Sequence, residues 1–596
     1  MAKKTPPEPV AKGTKRFRRA RASRACEVCH SRKVRCDVTT RMPCTNCVAF
    51  NCECKVPKRN RRNGGGDSPI SIASPAVQPA PAQPVGANGG LQPIIETTQT
   101  HSYDTPNANT WAKPKISGPE TKGMLPGARD HADTYSNGQK VRNSQFIFYG
   151  PSHIVPRLLG DSEQGEVQVV TNSEYMNSSR DIDSEDFEVL KLKGAFLIPP
   201  KEVCDDLVES YFKWVHPIIP LINRNDFMRK YSDPQDPPSL LLLQCMFLAA
   251  SKVCKNPALL DSDGSINLAC LTFYKRAKSL YDSNYETDKV TIVQSLGVLG
   301  WWFEGPEDII KNSAYWTRVA ILVAQGMGMH RNNDDNPHLS LQEKRMWKRI
   351  WWSLFYRDRN IAVALGRPLV INTQDMDVKM ITEDDFIEDE PDRPSLYPID
   401  VHRIRYFIHS LKLSEIMGII LTQQYTASAQ SKSIDVKSVA YSDVALSIWR
   451  KNLPDELKYH PKMKRSQKFF NSLLYLQYYT AVCLAHQLHL VKEIKLPDGR
   501  SGYPSRRIAF QASHMIARIC GNLLSISEVK NMHVFYVYVV FTAIILLLYQ
   551  TKSQNRLLAQ NAQRSLEVCM KFMDVLGETW LAARMSIRVV NYVRNS

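Results

Sequence analysis

The chain has 596 residues, of which 43% are hydrophobic, so it is long enough for several domains and apolar enough to bury a sizeable core. Its formal net charge is +18, and most of this comes from residues 1–62, with eighteen Lys and Arg against four Asp and Glu. These values favour a mostly globular protein whose basic N-terminal segment has a polyanionic partner.

The first residues, MAKKTPPEPVAKGTK, contain no apolar stretch of the kind found in a secretory signal. We therefore expect an intracellular protein, in which cysteines favour metal ligation over disulfides. The longest apolar run, VFYVYVVFTAIILLLY at 534–549, has sixteen residues, fewer than the roughly 18–20 that cross a bilayer. We interpret it as a buried core helix. Aromatic residues at both ends keep a membrane segment open as the alternative.

A basic arm, residues 1–25, precedes a window that holds seven of the fourteen cysteines. Two C-x2-C pairs, each followed by a further cysteine after six residues, make two similar half-units. On a helical turn such a pair shares one face and can hold one metal ion. The spaced cysteines, at 26–54, are Cys26, Cys29, Cys36, Cys44, Cys47 and Cys54.

Structural zinc takes four ligands, so two ions need eight ligand positions, and six cysteines suffice only if two thiolates bridge both ions. A single zinc with spare cysteines is the alternative, and it leaves the repeated half-unit unexplained. Cys52 lies outside the repeated spacing, and we interpret it as a spare thiol. The spacing therefore favours a binuclear zinc site.

This window resembles the six-cysteine binuclear zinc cluster of fungal transcription factors, with RKVRC ending on the third cysteine and Pro43 before the fourth. The resemblance implies two zinc ions bridged by Cys26 and Cys44. It also implies a DNA-binding domain at 26–54 in a nuclear protein that regulates RNA polymerase II genes.

Three basic residues, Arg32, Lys33 and Arg35, follow the first C-x2-C pair. The resemblance implies that Lys33 contacts the guanines of a CGG triplet, and Lys or Arg to guanine is a common specific contact in general. Arg32 and Arg35 are better suited to phosphate or mixed contacts. The alternative is that all three form a solvated basic face.

The flanking basic runs KRFRRARASR and KRNRR suit two roles, neutralising phosphates of double-stranded DNA and binding the nuclear import machinery. The next residues, NGGGDSPISIASPAVQPAPAQPVGANGG, contain too many Gly and Pro for a coiled coil. Dimerisation of the kind common in the resembled family is therefore in doubt. Monomeric DNA binding, or dimerisation through the C-terminal region, is the expectation.

Residues 55–185 are first basic and then rich in Pro, Gly and Ser, and we interpret them as a largely disordered linker. The stretch SQFIFYGPSHIVPRLLG within this segment is an apolar exception and a candidate for docking on the next domain. The predicted fold is thus a small metal-stapled zinc cluster plus a large all-α regulatory domain, joined by a disordered linker.

Residues 186–490 are expected to form that helical domain, and residues 491–596 to continue it with further helices. Ser239 follows two prolines and starts a nearly all-round apolar helix. Ser340 and Glu343 form a capping-box pattern at the start of a second long helix.

That second helix is expected to end at Gly366, which Pro368 follows. Asp358 falls on its apolar stripe, and a buried carboxylate needs a partner. We predict a structural ion pair between Asp358 and an arginine, with the adjacent Arg359 as one candidate. The functional alternative is a pocket for an effector.

The stretches YFKWVHPIIPLINRNDF, VAILVAQGMGMHRN and RIWWSLFYRDRNIAVALGRPLVI resemble the fungal-specific transcription factor domain, an all-helical regulatory module. LKGAFLIPPKEVCDDLVESYF and ITEDDFIEDEPD resemble regulators of cutinase and fatty-acid utilisation more particularly. Related sequences also regulate secondary-metabolite gene clusters. The acidic run 383–392 could form an activation segment, but its place within the folded domain favours a surface loop.

The sequence contains no nucleophile elbow, phosphate loop or HExxH helix, so we expect no enzyme. The expected function is a sequence-specific transcription regulator, an activator in the first instance, that works with the transcription machinery and for which a small-molecule inducer is a candidate ligand. Control of lipid or cutin catabolism and control of a biosynthetic gene cluster are both compatible with the residues. The alternative class is a zinc-bearing interaction scaffold without DNA binding.

Overall fold

The computed structural model describes residues 26–27, 36, 38, 42–44, 47, 53–56, 145–150, 152, 167–171, 183–303, 311–389, 394–430, 436–460, 465–490 and 503–595. The chain divides into two compact units, Met1–His101 and Ser102–Ser596. The first unit contains the cysteine cluster, and the second contains the helical region.

Within its described residues, the second unit has one antiparallel pair of strands followed by α-helices. The strands are β1 (Gln145–Tyr149) and β2 (Val167–Thr171). The helices are α1 (Ser184–Leu192), α2 (Lys201–Ser210), α3 (Arg224–Ser232), α4 (Leu240–Ser251), α5 (Asn267–Asp282), α6 (Lys289–Leu299), α7 (Ser313–Met327), α8 (Leu341–Leu365), α9 (Val401–Ile420), α10 (Ala427–Gln430), α11 (Val436–Lys451), α12 (Arg465–His486), α13 (Ser505–Leu523), α14 (Phe535–Thr551), α15 (Arg556–Gly577) and α16 (Leu581–Asn595).

Helices α4 and α8 begin where their N-cap patterns predict. The Ser239 side chain accepts a hydrogen bond from the backbone N–H of Leu242 at the start of α4. At the start of α8, the Ser340 hydroxyl accepts from the Glu343 N–H at 3.3 Å, and the Glu343 carboxylate accepts from the Ser340 N–H at 2.8 Å. The helix ends at Gly366, whose φ of +62° favours glycine. The predicted capping box and stop are confirmed.

Helices α4 and α14 form much of the apolar interior. All twelve residues of α4 are buried, and this accounts for its lack of a polar face. The sixteen-residue apolar run lies in α14, which packs against α13 and α15 and buries Val540, Ile544 and Leu547. In the described ranges, no helix is both long and apolar enough to cross a membrane. The core-helix interpretation is therefore confirmed.

The pair of strands lies inside residues 55–185, the segment predicted as largely disordered linker with one apolar exception. β1 pairs antiparallel with β2, with Gln145 opposite Thr171, and it contacts α7. The Phe146 ring meets Trp347 edge-on at 5.2 Å between centroids. The stretch QFIFY therefore docks on the helical domain, as its apolar character indicates. Residues 57–144, the larger part of the predicted linker, lie outside the described residues.

Asp358 forms the predicted ion pair. Its Oδ2 accepts a hydrogen bond from Arg359 Nη1 at 2.8 Å, and both side chains are buried. The backbone N–H groups of Val370 and Ile371 also donate to the carboxylate. Asp358 thus fixes the chain after α8. These contacts favour the structural ion pair over an effector pocket at this residue.

The acidic run is built into the domain. Glu383–Phe386 forms a short 3-10 helix in which Phe386 is buried. Glu388 pairs with Arg349 of α8 at 2.7 Å, and although burial opposes ionisation, Arg349 lowers the pKa of the Glu388 carboxyl. These contacts favour the folded loop over the activation segment. Residues 390–393 lie outside the described residues.

Candidate metal centre and nucleic-acid interface

Four cysteine thiols converge in the N-terminal unit. The sulfurs of Cys26, Cys44, Cys47 and Cys54 all lie within 4.8 Å of one another. The first three residues are at most 1% exposed. None of the cysteines in the described ranges forms a disulfide. Thiol sulfurs grouped this closely without disulfides are typical of a metal site rather than a covalent cross-link.

The sulfur spacing matches tetrahedral thiolate coordination. Cys26 Sγ lies 3.8 Å from Cys44 Sγ and 3.6 Å from Cys47 Sγ. A zinc ion with Zn–S distances of about 2.3 Å separates its sulfur ligands by about 3.8 Å. The residues present therefore fit zinc, in both ligand type and spacing.

Cys26 joins the two half-units. It belongs to the first half of the repeat, yet its sulfur lies among the three sulfurs of the second half, which come from Cys44, Cys47 and Cys54. Three cysteines per half provide only three of the four ligands that a zinc ion needs. A fourth ligand from the other half is what a bridging thiolate supplies, and this arrangement fits the bridging role expected for Cys26.

Each half contains the same kind of backbone contact, which the spacing alone does not reveal. The Cys26 N–H donates to the Cys36 sulfur at 3.4 Å, and the Cys44 N–H donates to the Cys54 sulfur at 3.4 Å. Each contact joins the first and third cysteine of one half. Such donors stabilise negative charge on sulfur and are common around metal thiolates. The repeat in sequence is therefore also a repeat in structure.

Other contacts hold the ends of the cluster together. The Glu27 N–H donates to the Lys55 carbonyl at 2.8 Å, and the valines Val38 and Val56 pack against the buried cysteines. The Met42–Pro43 peptide bond, just before the fourth cysteine, is cis. Lys55 forms an exposed ion pair with Glu53 at 2.8 Å. These contacts bring the start and end of the window together.

Comparison with known families now identifies both units. Residues 24–63 match the fungal Zn(2)-Cys(6) binuclear cluster domain, and residues 208–489 match the fungal specific transcription factor domain. The chain carries both domains of the fungal binuclear-cluster transcription factors. The matched cluster domain and the four-thiol group together support two zinc ions as its cofactors.

Several curated relatives are similar to this chain over most of its length. Cutinase transcription factor 1 alpha of Fusarium vanettenii is 42% identical over 96% of this chain. The chain spans 64% of the length of that relative. The Acetamidase regulatory protein of Aspergillus oryzae is 27% identical, over 96% of this chain and 77% of the relative. Fusaric acid cluster transcription factor FUB12 of Gibberella moniliformis is 24% identical, over 76% of this chain and 69% of the relative.

The cluster domain also contains the predicted DNA-contacting residues. Arg32, Lys33 and Arg35, together with the predicted ligand Cys29, lie outside the described residues, as does the spare thiol Cys52. Their roles therefore stay predictions. The described part of the cluster fixes Cys26 and Cys36 on either side of them.

Sequence reasoning missed the polar interior of the transcription factor domain. Arg349 is 2% exposed and donates to the backbone carbonyls of Pro220 and Ile222 as well as to Glu388. Its partners lie 129, 127 and 39 residues away in the chain. No local pattern encodes such a contact. The one signal in the sequence was the basic residue Arg349 on the apolar side of α8, which indicates a buried charge but not its partners.

Proposed function

We propose that the chain is a sequence-specific DNA-binding transcription regulator that acts in the nucleus on RNA polymerase II genes, as an activator. The observation that carries this proposal is the position of the Cys26 sulfur among those of the second half of the cluster domain. That arrangement makes a compact cross-linked module from a window that is too short to fold on an apolar core alone. We assign the chain no enzymatic activity.

The cluster positions the basic residues that follow its first cysteine pair. Bound zinc supplies the cross-links between the two halves, through Cys26, Cys29, Cys36, Cys44, Cys47 and Cys54. The contact between the Cys26 N–H and the Cys36 sulfur fixes the two cysteines on either side of these residues. Lys33, three residues before Cys36, then donates to the guanines of a CGG triplet in the major groove. Arg32 and Arg35 contact phosphates or share the base contacts.

The basic runs on both sides of the cluster add a sequence-independent contribution. They neutralise DNA phosphates and present a signal to the nuclear import machinery. DNA affinity should therefore fall steeply as salt rises, since each neutralised phosphate releases counterions. The Gly- and Pro-rich sequence after the cluster disfavours a coiled coil, so we propose monomeric binding or dimerisation through the C-terminal region.

The test is binding of the full-length protein to a labelled duplex that contains one CGG triplet, measured by fluorescence anisotropy at two salt concentrations. Lys33→Ala should weaken binding by about 5–150-fold, which corresponds to the loss of one good base contact. Lys55→Ala is the matched control, because it removes an equal charge from a lysine that faces Glu53. The zinc content of both variants should stay at two per chain.

Two outcomes would contradict the proposal. A Lys33→Ala variant that binds the CGG duplex as tightly as the wild type would favour the interaction scaffold without DNA binding. An equal loss in Lys33→Ala and Lys55→Ala would mean that the cluster contributes charge but does not select the triplet. Both outcomes are informative only with zinc retained, which elemental analysis of the same samples establishes.

We further propose that the regulated genes belong to lipid or cutin catabolism. The support is the 42% identity to a protein named as a cutinase transcription factor, over nearly the whole chain. Control of a secondary-metabolite cluster is the second candidate, and the 24% identity to a fusaric acid cluster factor supports it less. Genome-wide occupancy with and without fatty acid separates them, because peaks confined to one biosynthetic cluster would favour the second.

A further inference from the structure

The transcription factor domain contains a cavity of about 330 Å³ between the C-terminal half of α8, the start of α14 and α16. Its walls are mainly apolar and include Ile361, Ala364, Phe541 and Met585. Val589, which also lines the cavity, is 50% exposed, so the cavity opens to solvent beside α16. A well-formed apolar cavity with few polar groups is the usual form of a small-molecule site.

One of the side chains that line the cavity is a buried cation. Arg357 lines it and is 3% exposed. Its Nε donates to the Thr317 hydroxyl, and its Nη2 donates to the Gly300 carbonyl and the Ser313 hydroxyl. These acceptors are neutral, and Nη1 has no acceptor among the described residues. Burial lowers the pKa of the Arg357 guanidinium to about 10, so it remains positively charged at neutral pH.

Two other buried arginines on α8 have a carboxylate partner, which Arg357 lacks among the described residues. Arg349 is paired with Glu388, and Arg359 is paired with Asp358, each at a buried position. Arg357 is as buried as they are, yet no carboxylate in the described part of the chain lies within ion-pair distance of it. A buried charge without a counter-charge is costly, and two of the three buried arginines on this helix avoid that cost within the protein.

Two further polar atoms at the cavity lack partners in the described residues. The Nε2 atom of His533 is buried without a hydrogen bond, and so is the side-chain oxygen of Asn360. The Phe535 N–H donates to His533 Nδ1, so the neutral ring carries its proton on Nε2. Burial and the charge of Arg357 lower the pKa of His533 well below its usual value, which keeps the ring neutral. Nε2 is therefore an unused donor.

We propose that this cavity binds a small monocarboxylate with an apolar body of about ten carbon atoms. A cavity of 150 Å³ accommodates benzene, so one about twice that size accommodates roughly twelve non-hydrogen atoms. Arg357 is the cationic side chain that lines the cavity, which selects an anion with a single charge over a phosphate dianion. The carboxylate accepts from Arg357 Nη1, close to the neutral ring of His533. The apolar body lies along Ile361, Ala364 and Phe541.

The site does not involve the cysteine cluster, and this proposal does not depend on DNA recognition. Binding of the ligand is measured on the protein itself, so failure of one proposal leaves the other intact. Three ligands with the same apolar chain but different head-group charges test the role of Arg357. Decanoate supplies the missing negative charge, decanol supplies none, and decylammonium adds a second positive charge beside Arg357.

The experiment is isothermal titration of the full-length protein with decanoate, decanol and decylammonium, with the two ions below their micelle concentrations and decanol below its solubility. We expect one decanoate per chain, at least tenfold tighter binding of decanoate than of decanol, and no binding of decylammonium. Ala364→Phe places a ring in the cavity and should weaken decanoate binding at least tenfold. Ala427→Phe adds the same ring at an exposed position of α10 and should leave the affinity unchanged.

Arg357→Met tests the charge directly and should abolish the preference for decanoate over decanol. If this variant does not fold, the wild-type ligand series still decides the role of the charge. Equal affinity for decanoate and decanol, or no decanoate binding by the wild type, would overturn the proposal. An Ala364→Phe variant that folds and binds decanoate as well as the wild type would place any binding site elsewhere.

Discussion

Arg349 offers the sharpest test of the energetics inside the transcription factor domain. It joins α8 to two other parts of the chain, since its guanidinium donates to Pro220 and Ile222 in one segment and to Glu388 in another. We expect Arg349→Met to leave the buried carboxylate and two carbonyls without this partner. Methionine fills much of the same volume, so the loss reports mainly on charge and hydrogen bonding.

The expected loss of unfolding free energy depends on how deeply the ion pair is buried. The side chains of Arg349 and Glu388 are 2% and 12% exposed, so solvent replaces little of what the substitution removes. Removing one partner of such a pair costs about 3–5 kcal/mol of unfolding free energy. The Asn225 N–H still donates to Glu388 at 3.1 Å, which favours the lower part of that range. Adding Glu388→Gln to Arg349→Met should restore part of the loss.

The assay is urea denaturation of the full-length protein at pH 7.5, followed by tryptophan fluorescence, for the wild type, both single variants and the double variant. Arg405→Met is the control, because Arg405 forms two ion pairs at 2.7 Å, one of them with Glu383, but is 35% exposed. Exposed ion pairs contribute little, so this variant should unfold close to the wild type. Equal losses in Arg349→Met and Arg405→Met would refute the burial argument. So would a double variant less stable than Arg349→Met alone.

Three further outcomes follow from individual residues. Ser340→Ala should lower the unfolding free energy by about 1 kcal/mol in the same denaturation assay, because the Glu343 N–H loses its cap acceptor. Burial, with the charge of Arg331, lowers the pKa of His330 to about 4. Because the unfolded chain then takes up the proton first, stability falls as pH drops below about 6.5, and His330→Phe should remove about 1–2 kcal/mol of the loss between pH 7.5 and 5.0. Cys54→Ser should lower the zinc content per chain, whereas Cys52→Ser should not, and the reverse result would overturn the ligand assignment.

Elements with a local chemical signal were predictable from the sequence. The capping box at Ser340 and Glu343, the stop at Gly366 and the buried helix α14 all depend on residues within a few positions of one another. The cysteine spacing belongs to the same class, because metal geometry restricts which separations can share an ion. The ion pair of Asp358 with Arg359 was predictable for this reason too.

Features that join distant parts of the chain were not predictable. Nothing near Arg357 in sequence distinguishes it from Arg359, yet one faces a cavity and the other pairs with Asp358. The difference arises because α14 and α16 form the other walls of the cavity. These helices begin only at Phe535 and Leu581, far along the chain from Arg357. The cavity exists only after these helices pack, so no single-sequence pattern reports it.

The aromatic contacts of β1 set where a soluble fragment of the regulatory domain should begin. A fragment that starts at Asp183, where the helices begin, would lack the Phe146 ring that covers Trp347 and the Phe148 ring that meets His330 at 4.8 Å. Exposed aromatic surface of this kind promotes self-association. A fragment that begins before Gln145 should therefore remain monodisperse at concentrations where the shorter one aggregates.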